Sequence, residues 1–349
     1  MSAFKKILAL AVLLGISFSV CTVYMIFLKP PIKLPTQKVT VWVLPGSSTS
    51  RIAEQLKNSG VLTYTWPFKI LIRAMRTQKK LKPGEYLFQT SSSPWEVYQA
   101  LINENVVRYR VTIPEGLTTK ETIATISSIL SMDPELLYPL LEDEALRKRL
   151  KVPNQGFEGF LFPDTYFFTK TTTPLRIIET MVARFFSHIA PEDRFKATTM
   201  KWSLLEWTTF ASIIEKESGV VSEQPIISSV FHNRLKKGMR LQSDPTVIYG
   251  IKNFNGNLTK IDLQTKTPYN TYTNYGIPPG PICNPGQTSL HAALHPEKTD
   301  YLYFVATGLG THVFSKDYET HLKYVAQYQL KNRQPTVVDT SVPATIPTP

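Results

Sequence analysis

VWVLPGSSTSRIAEQLKNSGVL, residues 41–62, changes its hydrophobic period part-way along. Its start reads as a strand, Pro45 and Gly46 as a turn, and Ile52, Ala53 and Leu56 as one apolar face of a helix capped by Thr49 or Ser50. The succession returns in YRVTIPEGLTTKETIATISSIL, residues 109–130, with Thr118 or Thr119 as cap and Ile123, Ile126 and Leu130 as the stripe. Either a common turn solution is used twice, or each stretch opens a compact βα module.

The surrounding sequence suits an α+β fold in two domains. After the first stretch, residues 66–76 form a helix with Phe68, Leu71, Ile72 and Met75 on one side. A turn and strand follow at 81–89 and a further helix at 93–103, which gives a small α+β module over 39–107. A larger α+β domain then occupies 108–333. Within it, residues 131–150 read as helical and charged, 173–189 and 203–217 as helices, and 225–238 as a helix stopped by Lys236, Lys237 and Gly238. Met239 to Gly286 is rich in Tyr, Pro, Gly, Asn and Thr; a loop-dominated stretch of that length is more often functional than connective. Residues 301–307 and 312–315 predict a hairpin, and a last helix runs from Tyr318 to Leu330. Residues 334–349 hold too many prolines and too little apolar surface to fold, and predict a disordered tail.

Ahead of the first module, Ile7 to Leu28 contain no charge, enough to cross a hydrocarbon layer of about 30 Å. This predicts a short cytoplasmic N-terminus (1–6), a transmembrane helix (7–28) and a proline-broken linker (29–38). A cleaved signal peptide is the rival reading, but its apolar core is usually about 7–15 residues, and no small-residue cleavage site follows. Lys5 and Lys6 before the run and Lys29 and Lys33 after it balance too evenly to orient the helix.

The formal charge of +12 fits a polyanionic neighbour, whether anionic lipid, wall polymer or nucleic acid. Nucleic acid fits poorly, because the charge is spread and no recognition motif is present. The two cysteines, Cys21 and Cys283, are far apart and predict neither a disulfide nor a metal site. No serine or cysteine nucleophile with a matching base supports a peptidase.

ASIIEKESG, residues 211–219, is the most informative short motif for chemistry. On a helical wheel Glu215 and Glu217 each fall about 80° from Trp207, on opposite sides of the apolar face. They cannot form one tight carboxylate pair. Ile213 extends the apolar arc toward Glu217; a carboxyl there loses hydration, and its pKa moves toward the range of a general acid. The plain alternative is a solvated turn at a helix end.

Beyond this helix, Gln242, Asp244 and Thr246 of RLQSDPTVIYG share one side of an extended segment and suit a polar cleft wall, or else belong to a turn at Asp244-Pro245. Tyr269, Asn270 and Tyr272 of YNTY offer stacking faces and an amide for a sugar, or else pack on their own domain. Glu158, among the aromatics of residues 156–168, suits a cleft margin, or else is structural. His232 and His312 read as structural.

ASIIEKESG, VFHNRLKKGMRLQSDPTVIYG, TPYNTYTNYGIPPGPICNPG and HPEKTDYLYFVATGLGTHVFS, in this order, resemble the endolytic murein transglycosylase family, the MltG or YceG-like proteins. The resemblance covers most of the chain after the apolar segment and is densest over 205–330. It implies a LysM-like first module and a lyase of the EC 4.2.2 class, a lytic transglycosylase cutting the MurNAc–GlcNAc β-1,4 bond of peptidoglycan to leave 1,6-anhydro ends. It implies Glu217 as general acid and then base, with no metal and no cofactor. Glu223, Asn233 and Tyr249 join the cleft residues on the same ground. The implied setting is single-pass in the bacterial inner membrane, with a periplasmic catalytic domain. The implied partners are glycan strands, the membrane and peptidoglycan synthases, and the implied role is termination of nascent strands. A wall-binding scaffold without catalysis, and a hydrolase pairing Glu217 with Asp244, are the alternatives.

Overall fold

A computed structural model of the chain describes residues 3–29 and 37–330. Most of the expected 29–38 linker and the 334–349 tail lie outside these residues. The fold is mixed α+β.

Helix α1, Ala3–Val23, continues as a wider π turn over Tyr24–Leu28. From Ile7 to Leu28 it is long and apolar enough to cross a membrane. The Ser19 and Thr22 hydroxyls donate back to the carbonyls of Gly15 and Phe18, at 2.9 and 2.8 Å, so these polar groups are satisfied within the helix.

Strand β1 (Lys38–Val43) is followed by α2 (Thr49–Asn58), α3 (Trp66–Ala74), β2 (Gly84–Gln89) and α4 (Pro94–Ile102). β1 and β2 pair antiparallel, from Lys38 opposite Gln89 to Val43 opposite Gly84. Val41, Val43, Ile52, Leu56, Phe68, Ile72, Tyr86 and Leu101 close one core between this ribbon and the helices. The cap of α2 is Ser48, whose hydroxyl accepts from the Arg51 amide at 3.3 Å, and not Thr49 or Ser50. The helix starts one residue earlier than the polar run suggests, and Thr49 is already its first residue.

Strand β3 (Tyr109–Thr112) pairs with the later strand β4 (Thr165–Phe168), and α5 (Thr119–Leu130) lies between them in sequence. Thr118 caps α5, exchanging hydrogen bonds with the Glu121 amide and carboxylate. The expected charged helix over 131–150 is broken into a 3-10 turn (Pro134–Leu136), α6 (Tyr138–Glu142) and α7 (Glu144–Arg149). Asp143 restarts the chain by capping Leu146 at 2.9 Å, and Pro134 and Pro139 favour first-turn positions over helix interiors.

After β4 come α8 (Pro174–His188), α9 (Pro191–Thr199), α10 (Leu204–Glu217), α11 (Gln224–Lys236), α12 (Asp244–Gly250), α13 (Lys260–Gln264) and α14 (Gln287–Leu294). The hairpin of β5 (Tyr303–Ala306) and β6 (His312–Ser315) and helix α15 (Tyr318–Val325), which continues as a π turn over Ala326–Leu330, complete the described chain. The chain divides into two compact units. One comprises 1–111, 126–133 and 165–177; the other comprises 112–125, 134–164 and 178–349.

The second unit is organised around α10. Eight successive residues, Trp207 to Ile214, are buried, so the helix is enclosed on all sides over two turns and is not a one-faced amphipathic helix. α14 lies along it, fixed by the Trp207 indole donating to the Leu290 carbonyl at 2.7 Å. Ser212 accepts twice from the chain that returns before α14: its hydroxyl from the Ile282 amide at 3.0 Å, and its carbonyl from the buried Cys283 thiol at 3.4 Å. Ser203 and Glu206 form a reciprocal capping box at the start of α10.

Candidate active site

Glu217 is the last residue of α10; Ser218 leaves in an extended conformation. The helix interior fixes its position, while helix termination brings its side chain to a cleft. Glu217 as a whole residue is half-buried, but its carboxyl is enclosed by protein. Burial pushes the pKa of this carboxyl up to about 7. The Ser243 hydroxyl, donating to Oε1 at 2.5 Å, opposes the shift; Asp244 adds to it, and Arg234 weakly offsets it.

The cleft has a volume of about 440 Å³. Glu217, Gln242, Asp244, Tyr272 and Arg234 line one part; Tyr303, Phe304, His312, Tyr318 and His321 line the rest. Asp244 accepts from the Tyr272 hydroxyl at 2.6 Å. Arg234 is nearly buried, donating to the carbonyls of Leu302 at 2.7 Å and Leu241 at 2.6 Å, with its guanidinium over the Tyr303 ring. It therefore holds the α11–α12 turn to the β5 entry while presenting positive charge to Glu217. Arg234 has its own pKa lowered by burial, a sign of how dry this wall is. His312 is held by Glu223, which accepts from both its amide at 3.0 Å and its Nδ1 at 2.7 Å.

The arrangement offers one protonatable carboxyl near neutrality, a second carboxylate tied to a phenol, and aromatic walls. That suits general acid–base work on a polar substrate with flat apolar faces, the properties of a sugar ring.

The YceG-like family model matches residues 41–327. The chain belongs to the YceG-like family. It is 34% identical over 319 residues to the endolytic murein transglycosylase of Bacillus subtilis, a match covering 86% of this chain and 88% of that protein. The endolytic murein transglycosylase of Streptococcus pneumoniae D39 is 28% identical over 333 residues, 85% of this chain and 60% of that longer protein. The crystal structure of a YceG-like protein from Listeria monocytogenes is similar with a TM-score of 0.58 and 34% identity, covering 82% of this chain and 98% of that one.

In this YceG-like protein the expected site residues separate into three groups. Glu217, Gln242, Asp244 and Tyr272 meet at the cleft. Glu223 reaches it through His312. The others lie elsewhere. Asp244 to Gly250 form α12 and not an extended segment, so Gln242, Asp244 and Thr246 do not share a side. Thr246 has no accessible surface; its hydroxyl donates to the Ser243 carbonyl at 2.6 Å and meets Thr271 Oγ1 at 2.8 Å. It is therefore a scaffold residue beneath Ser243 and not a wall of the cleft. Asn270 is also fully buried, its amide donating to the Leu263 and Thr265 carbonyls at 3.1 and 2.7 Å and its oxygen accepting from Tyr272 N. With those atoms committed, it cannot read an acetamido group. Asn233 donates to the carbonyls of Thr299 and Tyr301 and pins the approach to β5.

Glu158, Tyr249 and Tyr269 form a separate cluster. Tyr249 donates to Glu158 at 3.3 Å and packs against Tyr269 with ring centres 4.8 Å apart. The Thr119 amide also donates to Glu158, at 2.9 Å. Burial lifts the Glu158 carboxyl to about 7 despite these donors. Glu215, the other carboxylate of ASIIEKESG, turns away from the cleft and accepts from the Gly286 amide at 2.9 Å. Sequence reasoning missed Ser243, which bonds Glu217, and the cleft residues Arg234, His312, Tyr303, Phe304, Tyr318 and His321. Ser243 lies between Gln242 and Asp244, and Arg234 lies inside the 225–238 helix, just before the Lys236-Lys237 stop.

Proposed function

We propose that this chain is an endolytic lytic transglycosylase, an EC 4.2.2 lyase that cuts the MurNAc–GlcNAc β-1,4 bond of peptidoglycan. The observation that carries the reading is Glu217: a carboxyl enclosed at a cleft, with a pKa raised to about 7 and one oxygen fixed by Ser243. The names of the B. subtilis and S. pneumoniae relatives support it.

Glu217 in its acid form donates its proton to the glycosidic oxygen, and the bond from that oxygen to C1 of the muramic ring breaks. The C6 hydroxyl of the same ring attacks C1, and its proton passes to the Glu217 carboxylate. The product is a 1,6-anhydro ring, no water is consumed, and Glu217 ends as it began. The substrate supplies the nucleophile, so the two-carboxylate arrangement of ordinary glycosidases is not required. Asp244 and the tyrosine hydroxyls supply negative potential beside the oxocarbenium-like C1. Tyr303, Phe304 and Tyr272 give the sugar rings their flat surfaces.

The domain reading follows the same line: a transmembrane helix at 7–28, a LysM-like module at 39–107 and a catalytic domain at 108–333. The β-α-α-β order of the first module and its antiparallel strand pair support a LysM-like reading. The exposed apolar surface of α1 supports an inner-membrane anchor. The catalytic domain is placed on the periplasmic side because the proposed peptidoglycan substrate lies there. Nascent glycan strands and the synthases that extend them are the proposed partners, and terminating such strands is the proposed role.

The test incubates the full chain in detergent with uncrosslinked glycan strands and weighs the new ends. Anhydro ends, lighter by one water and absent with Glu217→Gln, support the reading. A second reading rests on Asp244, which lines the same cleft: a muramidase-type hydrolase with Asp244 serving the attacking water. Reducing ends that depend on both acids would establish it. Binding without any new ends in either sample leaves a wall-binding scaffold.

A further inference from the structure

We infer that Asp193, His291 and His295 form a binding site for one divalent transition-metal ion of the zinc class. The site lies where α9 meets α14, and its residues take no part in the cleft described above. Asp193, in the first turn of α9, is nearly enclosed, with its side chain only 10% exposed. His291 and His295 stand one turn apart on the α14 segment, and their rings stack with centres 4.1 Å apart. Both aim at the same Asp193 oxygen: His291 Nδ1 is 3.1 Å and His295 Nε2 2.9 Å from Oδ1. All three donor atoms lie within 4.8 Å of one another.

Zinc bonds of about 2.0–2.1 Å in a tetrahedron put neighbouring donor atoms roughly 3.3 Å apart. The two nitrogen–oxygen separations lie within a few tenths of an ångström of that, and the two histidine nitrogens, within 4.8 Å of each other, close on an ion by rotation of the solvent-facing rings. Two imidazoles and one carboxylate suit zinc, nickel or copper rather than calcium or magnesium, which prefer oxygen donors. A lone surface ion pair needs only one histidine. Here two converge on one oxygen, and each ring must spend an N–H on it. With a metal bound, the rings carry their protons on the opposite nitrogens, and the carboxylate oxygen binds the ion directly. His291 and His295 remain open to solvent, with side chains 57% and 36% exposed, which leaves room for a water as fourth ligand. The site ties α9 to α14, the helix that lies along α10, so a bound ion would brace that contact.

The test uses the full-length chain in detergent, free of any histidine tag and stripped with a chelator. Zinc is titrated in competition with a chromogenic zinc indicator, and thermal unfolding is recorded with and without zinc. One ion per chain is expected, with a rise in Tm on binding. His291→Ala and His295→Ala are expected to weaken binding by at least about tenfold, the lower end of what losing even a supporting partner of a metal ligand does. His188→Ala, at a half-buried histidine elsewhere that stacks on Phe162, leaves it unchanged. Because Asp193 is enclosed and Asp193→Asn can disturb the fold, the solvent-facing His291 variant decides, with its zinc-free Tm as the control. Failure of the wild type to compete with the indicator, or equal binding by the His291 and His295 variants, overturns the site.

Discussion

Ser243 donates a 2.5 Å hydrogen bond to Glu217 Oε1, and this bond favours the ionised carboxyl. Ser243→Ala removes it while burial persists. The Glu217 pKa then climbs further, by about one unit if the bond to the charged form contributes about 1.5 kcal/mol. The alkaline limb of the pH–activity profile is expected to move up accordingly, with a lower maximal rate because the acid loses its anchor. An unchanged limb would mean that the titrating group is not Glu217.

Glu217→Gln is expected to lower turnover by about 10²–10⁴-fold, the range for loss of a general acid. It should also stabilise the protein at alkaline pH. The folded-state pKa is raised from 4.5 to about 7, so the proton-linked stability is complete below the ordinary value and is lost as pH rises through 7. The glutamine carries no charge to bury. The variant should therefore exceed the wild type by up to about 2 kcal/mol at pH 8, since losing the ionic hydrogen bond to Ser243 offsets part of the roughly 3 kcal/mol that the shift represents, and match it near pH 4. Denaturant melts at the two pH values measure this.

Gly219 follows the Glu217-Ser218 pair, and a Cβ there would lie 2.8 Å from the Gly310 carbonyl oxygen in the β5–β6 turn. Both sides of that contact are backbone, so neither can rotate away. Gly219→Ala should cost about 1–3 kcal/mol and reduce turnover by displacing the end of α10. Thermal unfolding together with turnover measured well below Tm separates the two effects.

Asn270 separates scaffold from ligand contact. Its buried amide holds the α13 carbonyls, and its oxygen holds Tyr272. Asn270→Ala should lose about 2–3 kcal/mol of stability, from several unmade hydrogen bonds. Glycan affinity per folded molecule should change little. A stable variant with much weaker binding would return Asn270 to the cleft.

The β-α-α-β module was readable because each element declares itself locally: Ile52, Ala53 and Leu56 keep a helical period, and Pro45-Gly46 marks the turn. The 301–315 hairpin was readable for the same reason. Glu217 was legible as an acid beside an apolar arc, although α10 proved buried on all sides rather than on one face. What could not be read was the partner set. Ser243 meets Glu217 across 26 residues of sequence and His312 meets Glu223 across 89, and no local period carries such a pairing. Thr246 and Asn270 misled for a related reason: polar residues in a loop-rich stretch look like binding groups, whereas here they satisfy the backbone of irregular chain. Arg234 gave no signal of its own, since a basic residue near a helix end usually serves that helix.

Cys283 gives helix α10 a natural reporter. Its thiol has no accessible surface, donates to the Ser212 carbonyl of α10 and is kept protonated by burial. An alkylating reagent can reach it only when the 282–284 segment parts from α10. The labelling rate at this one position therefore times the opening of the element that carries Glu217, without an engineered probe. In the wild-type chain Cys21, an exposed residue of α1, supplies a second signal that can be resolved by peptide mass. A glycan that occupies the cleft and steadies the end of α10 should slow the first rate and leave the second alone.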